Sequence, residues 1–389
     1  MSTQNLDAFR TELRAWLADN MTDELRPENA IKIPEAERVP RLRAWQAKLA
    51  AARWVGITWP EEYGGRAASI PEQIAYTEEM ARAEAPQVVG SLGIGIAGPP
   101  LIAYGTEEQK RRFARRILAA DDLWCFGFSE PGAGSDLASL RTTAILDGDH
   151  FVVNGQKVWT SGAHDADFLL AFVRTDPDAP KHKGISALII PTDTAGVVCR
   201  PFADMCGQDN LDFNEVFFTD ARVPAENLVG PLNGGWGVAN GSLGHERTMM
   251  WLGFADRIDN MIADFRPRTE LERDQFATTI MDYLALRAMG SAALARAARG
   301  EMDTASVSVL KLFGSEAERQ AFENALTAAG TDGLVHPSTT GPYAHMNLDH
   351  YFASWFERYA RSFGGTIAGG TSEIQRNIIA TQVLGLPRR

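Results

Sequence analysis

Little in this 389-residue chain commits it to an oxidising compartment, a membrane or a nucleic acid. Its three cysteines, Cys125, Cys199 and Cys206, are an odd number without metal spacing. No disulfide framework or metal site is therefore expected, and a reducing cytoplasm fits. No stretch approaches the roughly 20 consecutive apolar residues of a membrane span. The opening Met1–Asn5 lacks a basic segment followed by an apolar one, so no secretory leader is expected. Lys and Arg (38) are outnumbered by Asp and Glu (50), for a net charge of −12. That balance excludes a nucleic-acid binder, which must neutralise phosphates, but not a small phosphate-bearing ligand. What remains is ordinary for a globular enzyme of two or three domains: 45% hydrophobic and 23% charged residues.

Helical periodicity dominates the first 120 or so residues. Leu6, Phe9, Leu13, Trp16 and Leu17 share one face, and Leu42, Trp45, Leu49 and Ala52 another. Ser69…Glu72 and Thr106…Gln109 have capping-box spacing, which predicts helix starts at both. Trp54–Pro60 reads as an aromatic loop packed on these helices. Gly93-Ile-Gly-Ile-Ala-Gly98 matches G-x-G-x-x-G literally, but it follows a helical stretch and runs into Pro99-Pro100. A dinucleotide fingerprint needs a strand before it and a helix opening on it. Close helix packing through small residues is the expected role.

From about Asp122 to Gly230 the pattern becomes that of strands. Asp147-Gly148 and Asn154-Gly155 read as hairpin turns between the runs 142–146, 151–153 and 157–160. Further runs at 168–173, 185–190, 197–198 and 216–218 suggest a small antiparallel barrel or sandwich. After the turn-rich Gly230–Gly237, helical patterns return at about 238–265, 271–299, 303–329 and from Thr371, with a Pro337–Pro342 loop before the last. Helices, then strands, then helices, without alternation, indicate an α+β fold in segregated domains. The expected boundaries are 1–121, 122–230 and 231–389.

The stretch Trp124–Asp136 (WCFGFSEPGAGSD) carries the strongest local signal. An apolar aromatic run ends in Ser129-Glu130, then Pro131, then Gly132 and Gly134 around Ala133, then Ser135. The glycines permit close backbone approach to a flat or charged ligand, and the serines donate and accept. Trp159-Thr160-Ser161 ends a later strand with an aromatic plane and two hydroxyls.

Together with Lys157–Ser161 (KVWTS), Gly244–Thr248 (GHERT) and Gly369–Arg376 (GGTSEIQR), the segment Phe126–Asp136 (FGFSEPGAGSD) resembles the acyl-CoA dehydrogenase family, in order and spacing over nearly the whole chain. The resemblance implies an N-terminal α-helical domain, a central antiparallel β-barrel domain and a C-terminal four-helix bundle. It implies FAD as cofactor and an acyl-CoA thioester as substrate, oxidised to the trans-2-enoyl-CoA. Electron transfer flavoprotein is the implied electron acceptor. By motif, Phe126 and Ser129 line the flavin near its pyrimidine side, Trp159 covers one ring face, and Ser161 reaches toward N5 or O4. Ser135, beside Gly134, falls where the family contacts the cofactor phosphates or CoA. Gly370, Thr371 and Glu373 fall at the cofactor-contacting turn before the last helix, where Ser372…Gln375 has capping-box spacing.

Removing the α-proton of a thioester requires a positioned carboxylate. Many family members carry it immediately before the terminal G-T-S motif, and that position is Gly369 here. The family's alternative site is on the first long helix of the C-terminal domain, directly before an arginine; this chain has Glu246-Arg247 there. Burial beside a flavin would raise a glutamate from about 4.3 toward the roughly 6–7 suited to this chemistry. Arg247 either lowers that value or holds the acyl-CoA, and Leu243 with Met249 or Met250 is expected at the pocket wall. His245-Glu246 does not open a zinc motif, because H-E-x-x-H requires histidine at Met249.

The family's usual second-subunit cofactor motifs are absent from Phe265–Gln275 and Leu334–Tyr343. Two assemblies stay open: a heterotetramer in which a sister subunit completes the site, and a homo-oligomer using Arg266, Arg268 or Arg273. The rival functions are an acyl-CoA oxidase or flavin monooxygenase of the same fold, and a non-catalytic partner subunit.

Overall fold

The computed structural model describes residues 3–26, 29, 33, 35–205, 211–297, 299, 301, 304–334 and 354–387, without the side chains of 3, 4, 35, 36, 38, 240–250 and 304. Cys206 and the segment 335–353, with its expected Pro337–Pro342 loop, lie outside the described residues. The described residues form two units: those up to 204 with 211–243, and 205 with those from 244 onward.

In the first unit, the described helices that precede the sheet include α1 (Thr3–Asn20), α2 (Glu35–Ala51), α3 (Ile70–Arg82), α4 (Gly98–Tyr104) and α5 (Glu107–Ala119). The expected faces are the buried ones: Phe9, Leu13 and Leu17 on α1, and Leu42, Trp45 and Leu49 on α2. Both capping boxes form, at Ser69 with Glu72 and at Thr106 with Gln109. Trp54 and Trp59 are buried core, as expected of the aromatic loop. The glycine-rich decoy is a π-helical turn over Gly93–Ala97. A Cβ on Gly98 would sit 2.1 Å from the Trp59 ring, so this glycine serves packing.

The strands are β1 (Trp124–Gly127), β2 (Thr143–Asp147), β3 (His150–Lys157), β4 (Phe168–Arg174), β5 (Ile185–Pro191), β6 (Val197–Phe202), β7 (Phe213–Pro224) and β8 (Leu228–Val229). They form one sheet in the order β6-β7-β3-β2-β4-β5-β8, with β1 paired to β4. Most pairs are antiparallel, while β1 and β2 meet β4 in parallel. On β4 and β5, Leu170, Phe172, Ala187 and Ile189 enter the core shared with the helices. Their neighbours Leu169, Ala171, Val173, Leu188 and Ile190 enter a second core with Phe151, Val216 and Val223. Period-two alternation thus fills both faces with apolar side chains.

One turn expectation is corrected. Asp147-Gly148 does turn the β2–β3 hairpin, with Gly148 at φ +63°. Asn154-Gly155 does not turn the chain; it lies inside β3, where the register against β7 shifts between Val153 and Gly155. Gly155 has φ +144°, and a Cβ there would lie 2.6–2.9 Å from Thr142 atoms. The dipeptide sits opposite a bulge, where Thr219 and Asp220 of β7 face Asn154 alone, and Gly155 serves close strand approach.

The second unit is helical. It takes α6 (Gly235–Asp264) from residue 244 onward, then α7 (Glu270–Ala297), α8 (Thr304–Ala329), α9 (Trp355–Ile367) and α10 (Ser372–Ile378). Glycines let α6 approach its neighbours: a Cβ on Gly290 would lie 2.4 Å from Trp251, and one on Gly314 2.7 Å from Phe254. Helix α9, capped by Ser354, was not anticipated from the sequence. No described helix is long and apolar enough to cross a membrane.

Charge ties the first unit's helices together. Glu79 on α3 is 2% exposed and receives Arg14 at 2.6 and 2.7 Å, Arg10 at 2.8 Å and Arg82 at 2.9 Å. Arg14 foremost, with Arg10 and Arg82, holds its carboxyl down at about 2 from 4.5 against desolvation. A depressed folded-state value means stabilisation that is full above the unfolded value and lost as pH falls through the folded one. Glu79→Gln is expected to cost about 1–3 kcal/mol at pH 7, because its arginines reach solvent. Chemical denaturation at several pH values should also show a shallower loss of stability between pH 4.5 and 2 in that variant.

Candidate active site

Three segments of the first unit carry its candidate residues. On β1, Phe126 is half-buried and packs edge-on against Phe128 (ring centroids 4.1 Å) and Phe172 (5.5 Å). The chain leaves β1 through Ser129 and closes a tight Glu130–Ala133 turn. Gly134 and Ser135 are exposed, and a Cβ at Gly132 or Gly134 would meet nothing within 4 Å. The protein's own packing therefore does not demand these glycines. Beyond the turn, Asp136 pairs with Lys181 at 3.0 Å. Arg174 joins the two loops by donating to Ala138 O (2.6 Å) and Lys181 O (2.8 Å).

The third segment follows β3. Trp159 sits at φ +60°, left-handed for a non-glycine residue, and the residue is 58% exposed. Two rings fix its attitude edge-on: Phe202 at 5.3 Å and Phe213 at 5.5 Å. A large aromatic held both strained and uncovered is unusual for a surface residue, since each feature alone is unfavourable. Val158 N donates to Ser129 O at 2.9 Å, which brings the Ser129 segment beside Trp159 and Ser161. Among the described residues, no hydrogen bond reaches the Ser129, Ser135 or Ser161 hydroxyl. An uncovered indole beside hydroxyls with donor and acceptor capacity to spare suits a flat heteroaromatic ligand with polar edges.

Beneath this surface lies an ion pair that the sequence reading missed. Lys157 is 0% exposed; its ammonium donates to Glu130 Oε1 (2.8 Å) and Phe128 O (3.1 Å). Glu130 also accepts from Arg141 N (2.6 Å) and Thr142 N (2.9 Å). Desolvation pulls Lys157 down to about 8, against the attraction of Glu130. Desolvation pushes Glu130 upward, but Lys157 and the Arg141 and Thr142 bonds hold it below its ordinary value. The signal was available: Lys157 follows Phe151 and Val153 at period-two spacing on the inward face of β3.

In the second unit, Gly369 (φ +65°) and Gly370 (φ +97°) both adopt left-handed backbone. They turn the chain into α10, and the cap falls one residue earlier than the expected Ser372…Gln375 box. Thr371 is the capping residue, accepting from Ile374 N at 3.2 Å. Gln375 donates instead to Gly369 O (3.0 Å), bracing the turn from inside. Among the described residues, buried Ser372 Oγ and Gln375 Oε1 have no partner. Glu373 is exposed beside Arg376. Glu246 and Arg247 lie within α6, as does Leu243; these side chains, with Met249 and Met250, fall outside the described residues. No group of three or more potential metal ligands occurs among the described residues.

Comparisons with known proteins agree with this architecture. Residues 3–121, 125–221 and 233–384 match the acyl-CoA dehydrogenase N-terminal, middle and C-terminal domains, respectively. The chain is 41% identical over 394 residues to acyl-CoA dehydrogenase IpdE1 of Mycobacterium tuberculosis, covering 99% of each. Among solved structures it resembles the Tcur3481-Tcur3483 steroid ACAD, with TM-score 0.79 and 31% identity over 100% of this chain and 99% of that one. It also resembles the ChsE4-ChsE5 complex from Mycobacterium tuberculosis, with TM-score 0.77 and 33% identity over 100% and 99%.

The left-handed Trp159 backbone generates a stability prediction. Glycine there would remove a conformational penalty of about 1–2 kcal/mol, offsetting the loss of two edge contacts of about 0.5–1.5 kcal/mol each. Trp159→Gly should therefore leave unfolding stability within about 1–2 kcal/mol of the parent by urea titration.

Proposed function

The chain belongs to the acyl-CoA dehydrogenase family of FAD-dependent oxidoreductases, and from that premise we propose that it oxidises a bulky acyl-CoA to the trans-2-enoyl-CoA with Glu246 as the base. FAD supplies the hydride acceptor. Glu246 takes the proton from Cα, next to the thioester carbonyl, and Arg247 binds the acyl-CoA or trims the basicity of its neighbour. Ser129, Ser161 and Trp159 hold the ring system, while Phe126 backs that surface. Gly134 and Ser135, with Gly370, Thr371 and Glu373, take the cofactor's phosphate-bearing chain or CoA, and Leu243 contributes to the acyl wall. The domain boundaries proposed for this division of labour are 121/122 and 230/231.

The observation that carries the assignment of the base is Gly369. The family's more common position for the base has no side chain here, and its φ of +65° lies where a glutamate would be strained. Glu246 is the carboxylate left to do the work. A base positioned over Cα contributes about 10²–10⁴ in rate. Glu246→Gln should keep yellow, folded protein, while the rate at which acyl-CoA bleaches the flavin under anaerobic conditions falls by about that factor. Unchanged bleaching would refute the role. Trp159→Gly, folded as above, should lose flavin on gel filtration.

The bulky substrate is supported by the name of one structural relative, a steroid ACAD, so a polycyclic or branched acyl-CoA is the first class to titrate. That relative and the ChsE4-ChsE5 complex are each named for two components. We propose that this chain likewise pairs with a sister subunit and passes electrons to electron transfer flavoprotein. Expressed alone, it should carry well under one FAD per chain, restored by co-expression with the sister. A homo-oligomer with stoichiometric flavin would refute the pairing.

A further inference from the structure

The Ser129 segment and the Trp159–Ser161 segment come from strands that share no ladder. Among the described residues, β1 pairs only with β4, while β3 pairs with β2 and β7. β2 itself touches β4 at a single pair, Thr143 with Arg174. The sheet therefore divides at this end, and its backbone pairing does not set the distance between the two segments. Three ties do, one from each consecutive residue: Phe128 O and Glu130 Oε1 both accept from Lys157 Nζ, and Ser129 O accepts from Val158 N. Glu130 is anchored in turn on Arg141 and Thr142, where the chain enters β2. Gly127 packs against both Leu169 and the lysine stem; a Cβ there would lie 3.1 Å from Leu169 Cδ1 and 3.4 Å from Lys157 Cγ.

We propose that Lys157 and Glu130 are positioning residues, a buried clamp that sets the spacing of the Ser129 and Trp159–Ser161 segments and hence the seat of the flavin ring. The inference rests on the cofactor reading above. Stability alone does not call for such a pair. Removing both ions from water is costly, and apolar replacements of similar volume commonly hold a core as well or better. What apolar replacements lack is direction: an ammonium bonded to one carbonyl and one carboxylate fixes a distance, whereas methyl groups tolerate sliding.

The test uses the full-length chain, with its sister subunit if flavin loading requires it. Lys157→Met alone leaves a buried carboxylate short of its partner and is expected to fold poorly, so Lys157→Met/Glu130→Gln is the informative variant. It should melt within a few degrees of the parent. Amide exchange in peptides covering 124–136 and 157–162 should nevertheless rise at least tenfold, with the rest of the β domain unchanged. FAD should bind at least tenfold more weakly, and the visible circular dichroism of the bound flavin should change. Parent-like exchange in those peptides would overturn the clamp, as would parent-like FAD affinity and dichroism in the folded double variant. A parent chain that takes no FAD, with or without a sister, would overturn the cofactor reading instead, and the exchange measurement would still decide whether the clamp exists.

Discussion

The double-sided burial of β4 and β5 is the constraint from which the first unit is built. Successive side chains on these strands alternate between two cores, so a shift of one residue would exchange their contents: Phe172 and Ile189 for Val173 and Ile190. Because both faces are apolar, polarity cannot fix that register; the volumes on each side and the ladder itself must do so. β1, which leads into the candidate site, takes its register from β4 through Trp124–Phe168 and Phe126–Leu170. Ser129 is thus placed by a strand pair whose own position is set by packing on both faces.

Against that apolar background the buried charges have distinct tasks. Glu79 gathers arginines from α1 and from its own helix, cross-linking elements far apart in sequence. In the second unit, Glu318 on α8 meets Arg257 on α6, and Asp264 meets Arg358 of α9. Each of these joins two helices. The Lys157–Glu130 pair joins a strand end to a turn, under a surface where Trp159 also has left-handed backbone. Strain and buried charge meeting at one place are a reasonable mark of a site whose geometry matters more than its stability.

Much of the fold was legible because it depends on short-range periodicity. The faces of α1 and α2, the two capping boxes and the hairpin at Asp147-Gly148 follow from neighbours within a few residues. Asn154-Gly155 misled for a physical reason: a glycine that lets a hairpin turn also lets two strands approach closely, and only the contact of Gly155 with Thr142 distinguishes the two. The cap of α10 was placed one residue late because the Gly369-Gly370 turn, rather than the side-chain spacing, fixes where extended backbone gives way to helix. Helix α9 was missed although its start signal was there: Ser354 lies three residues before Glu357, the spacing of a capping box, and Ser354 does cap the helix.

For the site, the sequence by itself determined the family, and with it the cofactor class, since four short motifs in fixed order and spacing match that family over nearly the whole chain. It also determined that Gly369 cannot serve as a base. Only the tertiary structure decided that Ser129 lies beside the Trp159 segment, that the indole is strained and uncovered, and that Lys157 reaches Glu130 behind it. The reason is range. A motif records what each residue can do, whereas a hydrogen bond between residues 27 positions apart, from strands without a common ladder, exists only once the sheet has closed around them.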